Sequence, residues 1–217
     1  GPGGLTRALL LEGAEKVIAL EKDFRAATVL DSLMTAAGDR LQLVEGDALK
    51  TPLWEMGSLP RRIVANLPYN IATTLLIQWL GQAQAFESMT LMFQREVAER
   101  ITAQPGSSAY GRLSILSGWI ADAAILFDIP ADAFVPAPKV TSSVVQIRPL
   151  PAPRFECNRK ALEEVTRLAF GQRRKMLRVS LKPIGGEAML EAAGIDPQCR
   201  PQDLDIRAFC KLARRLG

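Results

Sequence analysis

Residues 63–80 read IVANLPYNIATTLLIQWL, and this stretch decides the fold. The short apolar run 63–65 has the length of a buried strand. Asn66 ends it, Pro68 stiffens the turn, and 71–80 continues as a helix. Working outward, the same strand-then-helix order recurs. Apolar 17–20 ends in Glu21 and is followed by 23–37, where Phe24, Ala27, Leu30, Met34 and Ala37 recur at helical spacing. Next come 41–44 before Gly46-Asp47, and 89–93 before a helix over 95–101. Four strands alternating with helices predict a parallel sheet covered on both faces. A further helix is predicted over 110–121. The strand-like runs 123–129 and 143–147 have no convincing helix between them, so an antiparallel edge pair is expected to close the sheet.

After Pro149, Pro151 and Pro153 the strand signal ends. Helices are predicted over 159–170, 175–181, 187–193 and 206–216, the last with Ile206, Phe209, Cys210, Ala213 and Leu216 on one face. The expectation is an α/β doubly wound domain over 1–150 and a small all-helical domain over 151–217. The chain opens on Gly1-Pro2-Gly3-Gly4-Leu5-Thr6 and a helix over 5–11, without the strand that normally precedes such a glycine turn. An upstream extension of the natural protein is therefore expected, unless Gly1-Pro2 is a cloning remnant.

With 48% apolar and 23% charged residues, the composition is that of an ordinary globular protein. There is no histidine, which removes Ser/His/Asp and Cys/His nucleophiles, HExxH zinc chemistry and every imidazole base. Cys157, Cys199 and Cys210 are odd in number and form no CxxC, so neither a disulfide framework nor a metal site is expected, and a reducing cytoplasm fits best. The longest uncharged stretch, 67–86, carries too many Asn, Thr and Gln residues for a membrane span. The net charge of +4 is unevenly placed: residues 1–150 carry −2 and residues 151–217 carry +6. The densest run is Arg173, Arg174, Lys175, Arg178 and Lys182. It reads either as a solvated helix face or as contact with a polyanion.

In a doubly wound sheet a ligand lies beyond the carboxyl ends of the strands. The residues there are the glycine turn, Glu21, Asp47 and Asn66. Glu21 is placed to accept from ribose hydroxyls and Asp47 from an exocyclic amine, a pattern that nicotinamide enzymes share. An acid near a helix N-terminus is the plainer reading of either one. NLPYN is more specific. An exocyclic adenine amine is a poor nucleophile because its lone pair is delocalised into the ring. The Asn66 side-chain oxygen and a backbone carbonyl of Leu67-Pro68 can accept both N6 protons and draw the nitrogen toward tetrahedral geometry. Tyr69 offers a face for a flipped base to stack on. No general base is needed, in keeping with a chain lacking His.

On these residues the chain resembles the ribosomal RNA adenine dimethyltransferases, most closely those acting on the small subunit. The segments that carry the resemblance are GGLT, NLPYN, FQREVAERI (93–101), AYGRLS (109–114), AFVPAPKVTSSVV (133–145) and AFGQRRKMLRVSL (169–181). It implies a Rossmann-like methyltransferase domain using S-adenosyl-L-methionine. It also implies a basic helical domain, and dimethylation of two adjacent adenosines near the 3′ end of 16S rRNA by a cytoplasmic, monomeric enzyme with a role in small-subunit biogenesis. Gly1, Gly3, Glu21, Asp47 and Asn66 would line the cofactor site. Asn66, Leu67, Pro68 and Tyr69 would hold the adenine, with Phe134 on its opposite face, although a core aromatic is the plainer reading of Phe134. Arg112, Arg173, Arg174, Lys175 and Arg178 would hold rRNA phosphates. The family's upstream cofactor-covering segment, and the acid and first glycine of its cofactor motif, have no counterpart here. The rival readings are a large-subunit adenine methylase, a non-catalytic assembly or transcription factor of the same fold, and a nicotinamide dehydrogenase.

Overall fold

The computed structural model describes residues 3–135 and 140–217, with the side chains of 24–29 outside the description. The first part runs α1 (Gly4–Leu11), β1 (Val17–Glu21), α2 (Phe24–Ala37), β2 (Leu41–Glu45), β3 (Arg62–Asn66) and α3 (Tyr69–Leu80). It continues through β4 (Ser88–Gln94), α4 (Arg95–Thr102), α5 (Arg112–Ile120), β5 (Ala121–Ile129) and β6 (Ser142–Pro149). The rest is helical: α6 (Arg159–Gly171), α7 (Leu177–Ser180), α8 (Gly186–Ala192) and α9 (Ile206–Leu216). No described helix is long and apolar enough to cross a membrane.

The predicted strands form, but the parallel ones do not lie in one sheet. β1 and β2 pair in parallel, Val17 with Leu41 through Glu21 with Glu45. β3 and β4 pair in parallel within a second sheet of order β3-β4-β6-β5. Among the described residues no strand pairs with both β1 and β3, so the described parallel strands fall into two sheets. β6 runs antiparallel to both β4 and β5, giving the expected antiparallel closure with β5 at the edge.

Two boundaries move for local reasons. The helix expected over 110–121 starts at Arg112, because Gly111 is extended at φ −173° and its N–H donates to Ser114 Oγ (3.1 Å). Its end gives way to β5 at Ala121. The helix expected over 175–181 shrinks to α7. Lys175 instead closes a turn by donating its N–H to the Gln172 carbonyl (2.8 Å), while the Leu177 and Arg178 N–H groups reach the Cys199 and Pro197 carbonyls. Arg173, Arg174 and Lys175 thus sit on a turn and not on a helix face.

Apolar burial is divided as the sheets are. Leu10, Leu30, Leu33 and Leu41 form a small core against β1 and β2. A far larger core joins α3, β4, α5 and β6 through Leu75, Phe93, Ile115 and Val145, and continues into the helical part through Leu162, Leu177, Phe209 and Leu212. The segment after β6 is stitched down by Trp119 Nε1–H donating to the Phe155 carbonyl (2.7 Å) and by Arg159 donating to the Ile77 carbonyl (2.9 Å).

Candidate active site

Asn66 is the last residue of β3, paired in register with Met92 of β4 and exposed. Leu67 is 8% exposed and belongs to the large core, which anchors the turn from beneath. Pro68 takes φ −57° and ψ 129° as the cap of α3, and its carbonyl accepts the N–H groups of both Ile71 and Ala72 at 3.1 Å. That carbonyl is committed to the first helical turn, where unpaired N–H groups need acceptors. Of the two backbone carbonyls considered for an incoming amine, Leu67 is therefore the one suited to it.

Tyr69 opens α3 and is half-buried. Its hydroxyl shares a hydrogen bond of 2.6 Å with Oγ of Ser142, the fully buried first residue of β6. On the adjacent residue, Ser143 Oγ donates to Asp128 Oδ1 (2.6 Å), and Asp128 Oδ2 accepts from Arg95 at 2.8 Å. Arg95 reaches Glu99 as well (3.0 Å), and both carboxylates hold its guanidinium further above its ordinary range. Phe134 follows the short turn Ala131–Ala133, is half-buried, and belongs to neither apolar core among the described residues.

The two strand-end acids are brought together by the β1–β2 pairing, with the Gly46 N–H donating to the Glu21 carbonyl at 2.9 Å. Glu21 Oε1 accepts from the backbone N–H groups of Lys22 (2.9 Å) and Asp23 (3.0 Å). Asp47 accepts from Lys22 Nζ on Oδ2 (2.8 Å) and from the Leu49 N–H on Oδ1 (3.0 Å), and these donors hold its carboxyl below the usual carboxylate range. A carboxylate has about four acceptor positions, so Asp47 has capacity for an amine beside the Lys22 ammonium, whose side chain is 77% exposed. Gly3 caps α1 at φ 83°, and a Cβ there would lie 2.4 Å from Leu30 Cδ2. The helix start thus requires glycine for its own packing. Gly1 lies outside the described residues. Asn66 stands at the end of the other sheet, so the site residues form two groups: the acids on β1–β2, and the NLPYN turn on β3 with the head of β6.

A family model described as ribosomal RNA adenine dimethylase matches residues 1–217, the whole chain. The chain belongs to the ribosomal RNA adenine dimethylase family. The protein named ribosomal RNA small subunit methyltransferase A of Sinorhizobium medicae is 53% identical to this dimethylase, over 100% of this chain and 80% of its own. The same-named protein of Rhodospirillum rubrum is 51% identical over 99% and 75%. Among solved structures, a dimethyladenosine transferase from Plasmodium falciparum superposes with TM-score 0.83 at 27% identity, covering 98% of this chain and 85% of that one. The 23S rRNA methyltransferase ErmE gives 0.72 at 25%, covering 100% and 87%. The α/β fold is that of the Rossmann-like methyltransferases.

Of the basic residues of the dimethylase, Arg112 and Arg173 both adjoin the 103–111 loop. Tyr110 is buried edge-on to Phe170 of α6, ring centroids 6.2 Å apart, and desolvation pushes its hydroxyl well above the ordinary tyrosine range. This contact clamps the 103–111 loop onto α6 and so places Arg112, which lies within the field of Glu164. Arg173 is half-buried and donates to the Ser107 carbonyl of the same loop (3.1 Å). Arg174, Lys175 and Arg178 are exposed, and no carboxylate pairs with them among the described residues. Arg173 therefore secures the loop, while the other three face solvent. Sequence reasoning gave no role to Ser142, Ser143, Asp128 or Arg95. Ser142 is 73 residues from Tyr69, and no local pattern announces such a partner.

Proposed function

We propose that this dimethylase transfers methyl groups from S-adenosyl-L-methionine to the N6 atoms of two adjacent adenosines near the 3′ end of 16S rRNA, acting in the cytoplasm on the small ribosomal subunit. The observation that carries the reading is the NLPYN turn at the carboxyl end of β3, with Asn66 exposed and the Pro68 carbonyl already committed to α3. The Asn66 side-chain oxygen accepts a hydrogen bond from one N6–H and the Leu67 carbonyl from the other. Held this way, the nitrogen moves toward tetrahedral geometry and its lone pair is localised for attack. The released proton goes to water, so the lack of histidine is no obstacle.

Tyr69 and Phe134 supply the two faces between which the base is stacked once out of its helix. Glu21 and Asp47 fit a nucleoside, the first toward ribose hydroxyls and the second toward an adenine amine. S-adenosyl-L-methionine supplies a methyl group on a sulfonium, a leaving group that needs no acid. Arg112, Arg174, Lys175 and Arg178 hold phosphates, which positions the RNA without reading its sequence.

The test is incubation with labelled S-adenosyl-L-methionine and undermethylated small or large subunits, followed by nucleoside analysis. Dimethyladenosine in small-subunit RNA is expected. Label in the large subunit alone would point to the 23S-type reading that the ErmE likeness represents. Salt-sensitive binding with no transfer would make the protein an assembly factor.

A further inference from the structure

Ser142 has no part in the reaction as read so far, yet its hydroxyl makes a side-chain hydrogen bond that ties the NLPYN turn to another strand. It is 0% exposed, begins β6, and pairs in register with Gln94 at the carboxyl end of β4. Its Oγ stands 2.6 Å from the Tyr69 hydroxyl, at the short end of the range for O–H···O bonds. The Tyr69 backbone is fixed by the first turn of α3. A second anchor at the hydroxyl fixes the direction of the Cβ-to-oxygen axis and leaves only spin about it.

The anchor is itself held from both sides. Successive strand residues face opposite sides of a sheet, and Ser143 uses the other side to bond Asp128, which holds Arg95. The Arg95 backbone N–H returns to the Thr141 carbonyl at 3.0 Å. Phe134 lies eight positions upstream of Ser142, on the segment that leads into this strand. The head of β6 thus holds the Tyr69 hydroxyl directly, and Phe134 precedes the same strand in the sequence.

We propose that Ser142 is a positioning residue for the target adenine: its hydroxyl holds the Tyr69 ring against the head of β6 and so sets the base slot before the base arrives. The inference rests on the reading of Tyr69 and Phe134 as stacking faces. A hydroxyl that merely satisfied its own buried polar atom would affect folding; one that pre-orients a ring affects turnover.

The experiment uses the full chain with undermethylated small subunits and compares Ser142→Ala, Ser142→Thr, Tyr69→Phe, the Ser142→Ala/Tyr69→Phe double variant and Tyr69→Ala. Ser142→Ala and Tyr69→Phe are each expected to lower kcat by about tenfold, the scale of one lost hydrogen bond, with KM for S-adenosyl-L-methionine unchanged. The double variant is expected to be no slower than the slower single, because both remove the same bond. Ser142→Thr, which restores a hydroxyl, is expected to recover most of the rate. In an RNA with 2-aminopurine at the target position, stacking should quench fluorescence less in both single variants. Wild-type kcat in Tyr69→Phe, or effects that multiply in the double variant, would overturn the inference. Tyr69→Ala separates the levels. Loss of transfer there, with Ser142→Ala at the wild-type rate, removes the role of Ser142 alone. Full activity in Tyr69→Ala removes the stacking reading itself.

Discussion

The two sheets of this molecule carry different groups of the proposed site residues and are built to different strengths. The β1–β2 pair carries Glu21 and Asp47 over a core of four buried leucines. The β3-β4-β6-β5 sheet carries the NLPYN turn over a core whose central residues, among them Leu75, Phe93 and Val145, are 0% exposed. Apolar burial contributes roughly 1.5–3 kcal/mol per fully buried large side chain, so the second layer is far the more strongly held. The difference follows the demands of the proposed chemistry. Groups that reshape an amine must be held to fractions of an ångström. Groups that accept from a nucleoside tolerate more play, and elements that open and close around ligands are drawn from the less stable part of a fold.

The sharpest way to break this division is Asn66→Ala. It removes one of the two acceptors for the N6 protons while leaving Leu67 in the core, so methyl transfer should fall by about 10²–10³-fold, the scale of losing one preorganised polar group at a reacting centre. RNA affinity, measured by filter binding, should change little. Equal loss of both would mean that the turn is a binding surface and not a chemical one.

The next comparison tests the cores directly. Leu75→Ala should cost ~3–5 kcal/mol in urea unfolding, since a 0% exposed leucine at the centre of the larger core leaves a cavity that its neighbours cannot fill. Leu33, 9% exposed in the smaller core, should give about 2 kcal/mol when cut to alanine. Its effect should be regional: hydrogen exchange should accelerate in β1 and β2 and stay unchanged in β4 and β6. Uniform acceleration would show the two layers to unfold as one, and the contrast drawn above would be wrong.

Much of this was legible from residue order alone. Each strand and the antiparallel closure follow from short apolar runs, and the NLPYN turn announces its chemistry because a strand end, a proline and an amide lie within five residues. Legibility fails where the determinant is distant or shared. That β1–β2 and β3–β4 stand apart among the described residues has one sequence counterpart, the lack of a strand before the glycine turn, but which edges meet is recorded by no residue within a strand. The short α7 depends on the Leu177 and Arg178 N–H groups finding carbonyls some twenty residues away, at Cys199 and Pro197. Ser142 is invisible for the same reason: serine at a strand head is unremarkable until folding puts a tyrosine hydroxyl beside it. The basic run was visible as charge, but only the structure separates Arg173, spent on the Ser107 carbonyl, from its exposed neighbours.

That separation leads to a smaller effect. Exposed Arg174, Lys175 and Arg178 should each release counterions on meeting phosphate. Replacing all three by glutamine should therefore lower the slope of log affinity against log salt by about 2, with kcat at saturating RNA preserved. Arg173→Gln should instead loosen the 103–111 loop, giving faster exchange of the Ser107 region. If Arg173→Gln changes the salt slope as much as its neighbours do, it too meets RNA.

The smallest effect expected concerns the weaker layer. Lys22 is the first of the donors that hold the Asp47 carboxyl low, ahead of the Leu49 N–H. A carboxylate whose folded pKa lies below its unfolded one contributes stability above the unfolded pKa and loses it as pH falls through the folded one. Lys22→Met removes the larger donor and keeps the smaller, so the Asp47 carboxyl should titrate at higher pH, and the loss should begin earlier on acidification. Because the lysine side chain is 77% exposed, solvent screens the pair and the stability change should be small. If Asp47 accepts from the cofactor's amine, the acid limb of S-adenosyl-L-methionine binding must move to higher pH together with the Asp47 carboxyl resonance. A resonance that moves while the binding limb stays fixed would make Lys22–Asp47 a surface ion pair, and would leave Glu21 as the acid on this sheet that contacts the nucleoside.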